Sequence, residues 1–434
     1  MELSQNIWAR YGFRGNPFDT GALSASADAL LPIAQAIVGR GMDSPESRLM
    51  LDVVRSVGGG RAVVEGDIGV GKTTFVNYHR YLWEAEAQDK LLTPATEISL
   101  SSDVSAREFL WNTIGAVIGK MVLLCGEKYV QSRPLLRELF LLNRVFLQRS
   151  FEVQASLFGF GGGLGRTTQV SVPEPPDVQL YAYLRELVGE VKRLDYKGIF
   201  LHFDNLELVS LRSPERTREL FEELRDALQT PDIYFVFVGQ TGFFSEIISP
   251  SERVRSVFFG QPVHIPPLTK SQVLEAVHRR YRLLAAHPDR LILPVTDDLL
   301  EYLYDLYDGK MRFVMDGVAT VITHLPHAVA ETLDSAAAKT LLARLVSERL
   351  KRELTRREWD VLRETVRLGT FNNAAIARAL HVKPPNVTKY LNALLDRHFI
   401  YPHHRTGRQV FYCASEDVRI LRDLPEEAQR TLLG

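Results

Sequence analysis

The chain has 434 residues, of which 45% are hydrophobic and 24% charged, the balance of a globular protein with room for two to four domains. A net charge of −1 excludes polyanion binding over the whole surface, so any nucleic-acid contact has to be local. Two distant cysteines, Cys125 and Cys413, exclude a cysteine zinc cluster and a disulfide framework and fit a reducing, cytoplasmic setting. The start, MELSQNIWARYGF, lacks the basic-then-apolar order of a signal peptide, and with no apolar run of about 18 residues no membrane span is expected.

Residues 1–24 carry Trp8, Tyr11, Phe13 and the turn formers Asn16-Pro17, which predicts an ordered arm packed on a core. Helices are expected over 27–37 and 47–57, the second stopped by Gly58-Gly59-Gly60. A short strand, 62–66, then leads into Gly66-Asp67-Ile68-Gly69-Val70-Gly71-Lys72-Thr73, and a helix continues from Thr74. This run fits G-x-x-x-x-G-K-[ST] in the context a phosphate loop needs. Gly66, Gly69 and Gly71 let backbone N–H groups curl around an anion, and the helix N-terminus adds partial positive charge. Lys72 would reach the β- and γ-phosphates of ATP, and Thr73 would hold Mg²⁺.

Further strands are expected over 91–100, 199–203, 233–238 and 263–265, with helices over 105–124, 134–151 and 215–228 between them. The runs IFLHF and IYFVFV are apolar without alternation, as in parallel strands buried on both faces. The glycine cluster 158–166 reads as a flexible hairpin or an insertion without a role. Residues 268–350 show only helical periodicity, over 270–284, 297–307, 312–324 and 333–350. The expected architecture is therefore α/β: a P-loop domain with a parallel sheet over 1–266, a helical lid over 267–350, and a third domain over 351–434.

Asp204 ends a buried strand, where a carboxylate can serve Mg²⁺. Glu207 lies three residues on, where it can deprotonate the attacking water, or is a solvated acid at a strand end. Gln240 ends the next strand and is either a γ-phosphate contact or a turn residue. Arg253 and Arg255 follow; one of them can act as an arginine finger on a neighbouring subunit, and a surface salt bridge is the alternative. Arg312 begins a lid helix and is placed to report nucleotide state.

The set GDIGVGKT, IFLHFDNLE, VFVGQTG, ERVRS and GKMR, in this order and spacing, resembles an AAA+ ATPase over about residues 40–350. Within that superfamily the chain is similar to origin-recognition ATPases of archaeal type and to transposition-regulator ATPases. The resemblance implies ATP and Mg²⁺ as cofactors and a nucleotide-dependent homo-oligomer. It implies Lys72, Thr73 and Thr74 on the phosphates, Thr73 and Asp204 on Mg²⁺, and Glu207 on water. It further implies Gln240 as first sensor, Arg253 or Arg255 as finger, Arg312 as second sensor, and Val38-Gly39-Arg40 on the adenine side. Asn205 stands where many such ATPases carry the acid, which leaves the rate of hydrolysis open.

The last segment changes character. Residues 351–412 hold twelve Lys and Arg against five Asp and Glu. Helices are expected over 355–367, 372–380 and 386–397, the third begun by Pro384-Pro385, and then a strand pair around HHRTGRQ. This is the pattern of a winged helix-turn-helix, whose third helix enters the major groove of double-stranded DNA. Lys383, Asn386, Thr388, Lys389 and Asn392 leave the apolar stripe of that helix, and Arg405 and Arg408 lie on the wing. Two functions fit: an ATPase that couples nucleotide state to DNA binding and partner recruitment, or a signal-responsive switch whose winged helix takes a protein partner or an operator. The protein partners are not legible.

Overall fold

The strand that ends in Asp204 organises the first unit. All seven residues of β4 (Gly198–Asp204) are buried, as are all seven of β5 (Ile233–Gly239), so neither strand has a solvent face. The computed structural model describes residues 7–26, 28–56, 58–150, 175–206, 213–258, 260–325, 330–406 and 409–423. It divides the chain into one unit of 22–266 and a second that joins 1–21 to 267–434.

In the first unit β1 (Gly60–Glu65) pairs in parallel with β5 and with β6 (Val263–His264). Strand β4 pairs with the other edge of β5 and with two short strands, β2 (Leu91–Leu92) and β3 (Ile98–Ser99). The single strand expected over 91–100 is thus two, because Pro94 between them cannot donate to a ladder. Alternate residues of the parallel strands face two cores. Val63, Ile199, Leu201, Phe203, Phe235 and Phe237 pack under α3 (Ala106–Cys125), α4 (Pro134–Ser150), α5 (Asp177–Lys192), α6 (Pro214–Glu223) and α7 (Arg225–Leu228). On the other face Val64, Phe200, Val236 and Val238 meet α1 (Pro45–Arg55) and α2 (Lys72–Tyr81) through Met50, Val54, Phe75 and Val76. The result is the three-layer P-loop α/β fold expected from the sequence.

Two local expectations differ. The helix over 27–37 is only Ile33–Ala36, since Pro32 lacks an N–H and forces Leu31 out of the helical region. Helix α5 went unread because the loop-like composition before it masks its start. Helix α3 is long and apolar enough to cross a membrane, with a mean hydropathy of 1.4, although seven of its large apolar side chains from Phe109 to Met121 are buried in the core. Glycine cluster 158–166 lies outside the described residues.

The expected 1–266 domain differs at its start: residues 1–21 belong to the second unit, where the aromatic arm packs on α8 (Lys270–Leu284). Phe13 and Phe18 lie 5.4 and 5.7 Å from the Tyr281 ring, and Arg14 N–H donates to Leu284 O at 2.8 Å. Helices α9 (Asp297–Leu306), α10 (Met311–Thr323) and α11 (Ser335–Glu353) follow. The boundary expected at 350/351 falls inside α11, whose Leu350 is buried in one core with Trp359, Leu362, Leu391 and Val418. The C-terminal part has three helices, α12 (Arg356–Leu368), α13 (Asn373–Ala379) and α14 (Pro384–Asp396). They are backed by a three-stranded antiparallel sheet of β7 (Thr370–Phe371), β9 (Gln409–Ala414) and β8 (Ile400–Thr406), in that order.

Candidate nucleotide site and C-terminal surface

The carboxyl ends of β1, β4 and β5 lie side by side, with Glu65 opposite Gly239 and Phe203 opposite Phe237. The loop after β1, Asp204 and Gln240 therefore share one edge of the sheet, where ligands of open α/β sheets bind. Two glycines are required there, Gly66 by space and Gly71 by its backbone angle. A Cβ on Gly66 would lie 2.6 Å from Ile265 O, and one on Gly71, whose φ is +95°, would lie 2.8 Å from Arg40 Nη1. Helix α2 then begins at Lys72 with its first-turn N–H groups directed at the loop.

Lys72 Nζ donates to Gly66 O at 2.9 Å and Asp67 O at 3.0 Å, so the ammonium folds over the loop. Thr73 Oγ1 donates to Asp204 Oδ2 at 2.7 Å, and Asn205 N–H donates to Asp204 Oδ1 at 2.8 Å. Asp204 is 7% exposed, and burial pushes its carboxyl up from the ordinary range, while Thr73 and Asn205 pull it down. Thr73 and Asp204 are two hard oxygen donors in contact. That is the small protein share a Mg²⁺ takes when phosphate and water oxygens complete its octahedron. Among the described residues no larger cluster of metal-ligating side chains competes. Asn205 has φ +60°, a left-handed conformation that asparagine tolerates, so the chain turns sharply as it leaves β4.

The other expected residues separate into those the fold brings to this edge and those it does not. Thr74 is half-buried, its hydroxyl accepting from Leu23 N–H at 3.2 Å. Val38 is half-buried, and Arg40 is 5% exposed. Arg40 Nη2 donates to Pro266 O at 2.7 Å, and burial pushes its guanidinium down to about 10. Arg40 thus braces the loop's end against the strand-β6 exit. Gln240 is half-buried at the end of β5, and Arg253 and Arg255 are exposed on a four-residue helix, Glu252–Arg255. Arg312 is exposed in the first turn of α10, in the second unit. Glu207 lies outside the described residues.

Sequence reasoning passed over two contacts that hold the loop to the segment after β5. Thr241 Oγ1 donates to Asp67 Oδ1 at 3.0 Å, and Phe244 N–H donates to Glu65 Oε2 at 3.3 Å. The available signal was an acid, Glu65, closing an otherwise apolar strand next to the loop. Between α1 and α2, buried His79 takes a hydrogen bond with Ser47 Oγ at 3.1 Å, and burial pushes its imidazole down to about 3. His202, buried in β4 without a partner at either ring nitrogen, is likewise pushed well below 6.5. Below about pH 6.5 both groups charge in the unfolded chain while staying neutral in the fold. Their stabilisation is therefore whole above about pH 6.5 and is lost as pH falls toward 3. His79→Gln is expected to flatten the stability–pH slope below 6.5 by about 1.4 kcal/mol per pH unit, one proton's worth, read by urea unfolding at several pH values. An unchanged slope would remove His79 from that account.

On the C-terminal part, Val387, Leu391 and Leu394 of α14 are buried, whereas Lys383, Asn386, Thr388, Lys389 and Asn392 are exposed. Thr388 is engaged locally: its hydroxyl accepts from Asn373 Nδ2 at 2.7 Å and donates to Pro384 O at 3.3 Å, tying α13 to α14. Lys389 Nζ sits 4.7 Å from the Tyr390 ring centroid. Arg405 lies in β8 with its side chain undescribed, and Arg408 lies outside the described residues.

No family model and no curated protein matches the chain. Among solved structures, the Aeropyrum pernix ORC2 protein, in ADPNP-ADP complexes, aligns over 94% of this chain and 98% of that one. Its TM-score is 0.49 and its identity 13%. The Aeropyrum pernix ORC1 protein in complex with DNA covers 94% and 97%, at TM-score 0.44 and 14% identity. Cdc6p from Pyrobaculum aerophilum covers 94% and 98%, at TM-score 0.38 and 14% identity. Likeness at these scores leaves the assignment to the geometry of the site itself.

Proposed function

We propose that this chain is an AAA+ type ATPase that binds and hydrolyses ATP with Mg²⁺ and couples nucleotide state to double-stranded DNA binding and partner recruitment. The observation that carries the reading is the contact of Thr73 Oγ1 with Asp204 Oδ2, beside a phosphate-loop lysine, at the carboxyl edge of a parallel sheet. Lys72 exchanges its two loop carbonyls for phosphate oxygens, and the N–H groups of the loop and of the first turn of α2 bind the remaining oxygens. Thr73 and Asp204 are the residues that would hold Mg²⁺, and the chemistry it would supply there is the neutralisation of negative charge developing on the transferred phosphoryl group. Glu207 takes the proton of the attacking water, and Gln240 orients that water or the γ-phosphate. Arg253 or Arg255 is supplied to a neighbouring subunit of a homo-oligomer; their exposure suits an action in trans.

Glu207→Gln is expected to keep ATP affinity within about twofold while lowering turnover by about 100-fold or more, since general-base catalysis contributes 10²–10⁴. Parent-rate hydrolysis by that variant would mean that another group takes the proton.

The C-terminal part is read as a winged helix that presents α14 to the major groove. Its support is an exposed polar face over a filled apolar stripe, in a segment with an excess of seven positive charges. In a fluorescence-anisotropy titration of the full chain, log affinity for duplex should fall linearly with log salt. Arg405→Ala with Arg408→Ala should flatten that slope by roughly two. Asn386→Ala or Asn392→Ala should instead cost about 1–3 kcal/mol of sequence discrimination. Binding that ignores salt, or is absent at low salt, would favour the switch reading, in which this face takes a protein partner.

A further inference from the structure

The first turn of α14 is short of hydrogen-bond donors. It opens on Pro384 and Pro385, which have no N–H, and both residues are exposed. At about 100° per residue, Pro385 stands opposite the buried stripe of Val387, Leu391 and Leu394, on the same outer face as Lys389 and Asn392. Thr388 follows Pro385 by three residues, which makes them neighbours on the helix surface, and it too is exposed.

Thr388 adds no free donor to this turn. Its hydroxyl donates to Pro384 O at 3.3 Å, the carbonyl four residues back, and accepts from Asn373 Nδ2 at 2.7 Å. Asn373 is itself fixed in place. It opens α13 directly after Asn372, whose side chain caps that helix by accepting from Ala375 N–H at 2.9 Å. The hydroxyl is thus engaged on both sides, and the remaining group of this exposed side chain is its Cγ2 methyl. The major groove of B-DNA shows donors and acceptors at every base pair but only one apolar group, the C5 methyl of thymine. A turn with two proline rings and a threonine methyl, set ahead of Lys389 and Asn392, matches that group. Cytosine or a purine in the same place gives it nothing to bury.

We propose that Thr388, beside Pro385, is a specificity-determining residue that reads thymine by apolar contact with its C5 methyl, in a side-chain position set by Asn373. The inference rests on the reading of α14 as a major-groove helix given above and adds a base to it. It separates Thr388 from Asn386 and Asn392, whose amides can hydrogen-bond base edges.

The test uses the full chain and a pool of random-sequence duplex, from which the sequences that the chain retains are selected. Anisotropy then gives the affinity for a selected duplex made with thymine, and for the same duplex with deoxyuridine, which lacks only the C5 methyl, at one thymine position after another. The parent is expected to lose about fourfold at one such position, the worth of one buried methyl. Thr388→Ser removes the methyl and keeps the hydroxyl with both of its bonds. It should bind the thymine duplex about fourfold more weakly than the parent and be indifferent to deoxyuridine at that position, so that the two deletions do not add. Thr388→Val removes the hydroxyl and keeps a methyl in the same place, and it should keep the preference for thymine. A role confined to tying α13 to α14 predicts the opposite order, with serine harmless and valine impaired. The parent's own deoxyuridine series needs no variant, and equal affinity at every position, or retention of all sequences alike, overturns the inference while leaving duplex binding standing. A chain that binds no duplex at low salt overturns the groove reading and this inference with it.

Discussion

Lys72→Ala is expected to weaken ATP binding by about 10- to 150-fold and to remove turnover. The estimate comes from the worth of a hydrogen bond to a charged group, about 1.5–3 kcal/mol, at 1.4 kcal/mol per tenfold. In the structure the ammonium is bonded to the carbonyls of Gly66 and Asp67, so it is already inside the loop and needs only a small rotation to reach an anion there. The backbone that shapes the loop does not depend on it: Gly66 packs against Ile265, and Gly71 against Arg40, which is anchored on Pro266. The variant should therefore fold and melt like the parent, and titration with a fluorescent ATP analogue isolates the lost contact. Unchanged affinity would mean that nucleotide, if bound, lies elsewhere.

Asp204→Asn should separate stability from function. Its carboxyl is raised by burial, so its share of stability is present below the ordinary value of 3.8 and is lost as pH rises through the higher value in the fold. At neutral pH, with no cation, the buried charge is a cost, and the neutral amide should raise the melting temperature. With Mg²⁺ the order should reverse, because a cation held by Thr73 and Asp204 would stabilise the parent by binding the native state alone and should leave the variant unmoved. Turnover should fall by about 100-fold or more, since a metal supplies several kcal/mol of charge stabilisation to phosphoryl transfer. Melting curves with and without Mg²⁺, together with a turnover assay, check both halves. A variant that melts lower than the parent without metal would show that the Thr73 and Asn205 hydrogen bonds outweigh the cost of burial.

Much of this site was legible because it is local. The phosphate loop needs consecutive residues between a strand and a helix, and the buried strand before Asp204 announces itself by five residues without alternation. What could not be read depends on chain-distant partners. Nothing near Trp8 or Phe13 says that the arm docks on Tyr281. Nothing near Leu350 says that α11 continues into the C-terminal core. Thr388 reads as a polar side chain on an open face, and only the fold brings Asn373 to its hydroxyl. Asn205 illustrates the reverse case. In the sequence it stands as a departure from a pattern, and the structure supplies a backbone reason for it, a left-handed turn directly after the buried acid.

The Asp204 contact also marks what the first unit holds ready. Thr73 and Asp204 face each other across 2.7 Å with the carboxylate's second oxygen held by the backbone, so little ordering would be needed for the proposed phosphate and cation to bind there.

The central claim, a nucleotide site that answers to DNA, is tested most directly by ATP turnover of the full chain with and without duplex, with Lys72→Ala run in parallel. The account predicts Mg²⁺-dependent turnover that duplex changes by about fivefold or more and that Lys72→Ala removes under both conditions. Turnover that survives Lys72→Ala, or that is indifferent to duplex at a salt concentration where duplex is bound, would contradict it.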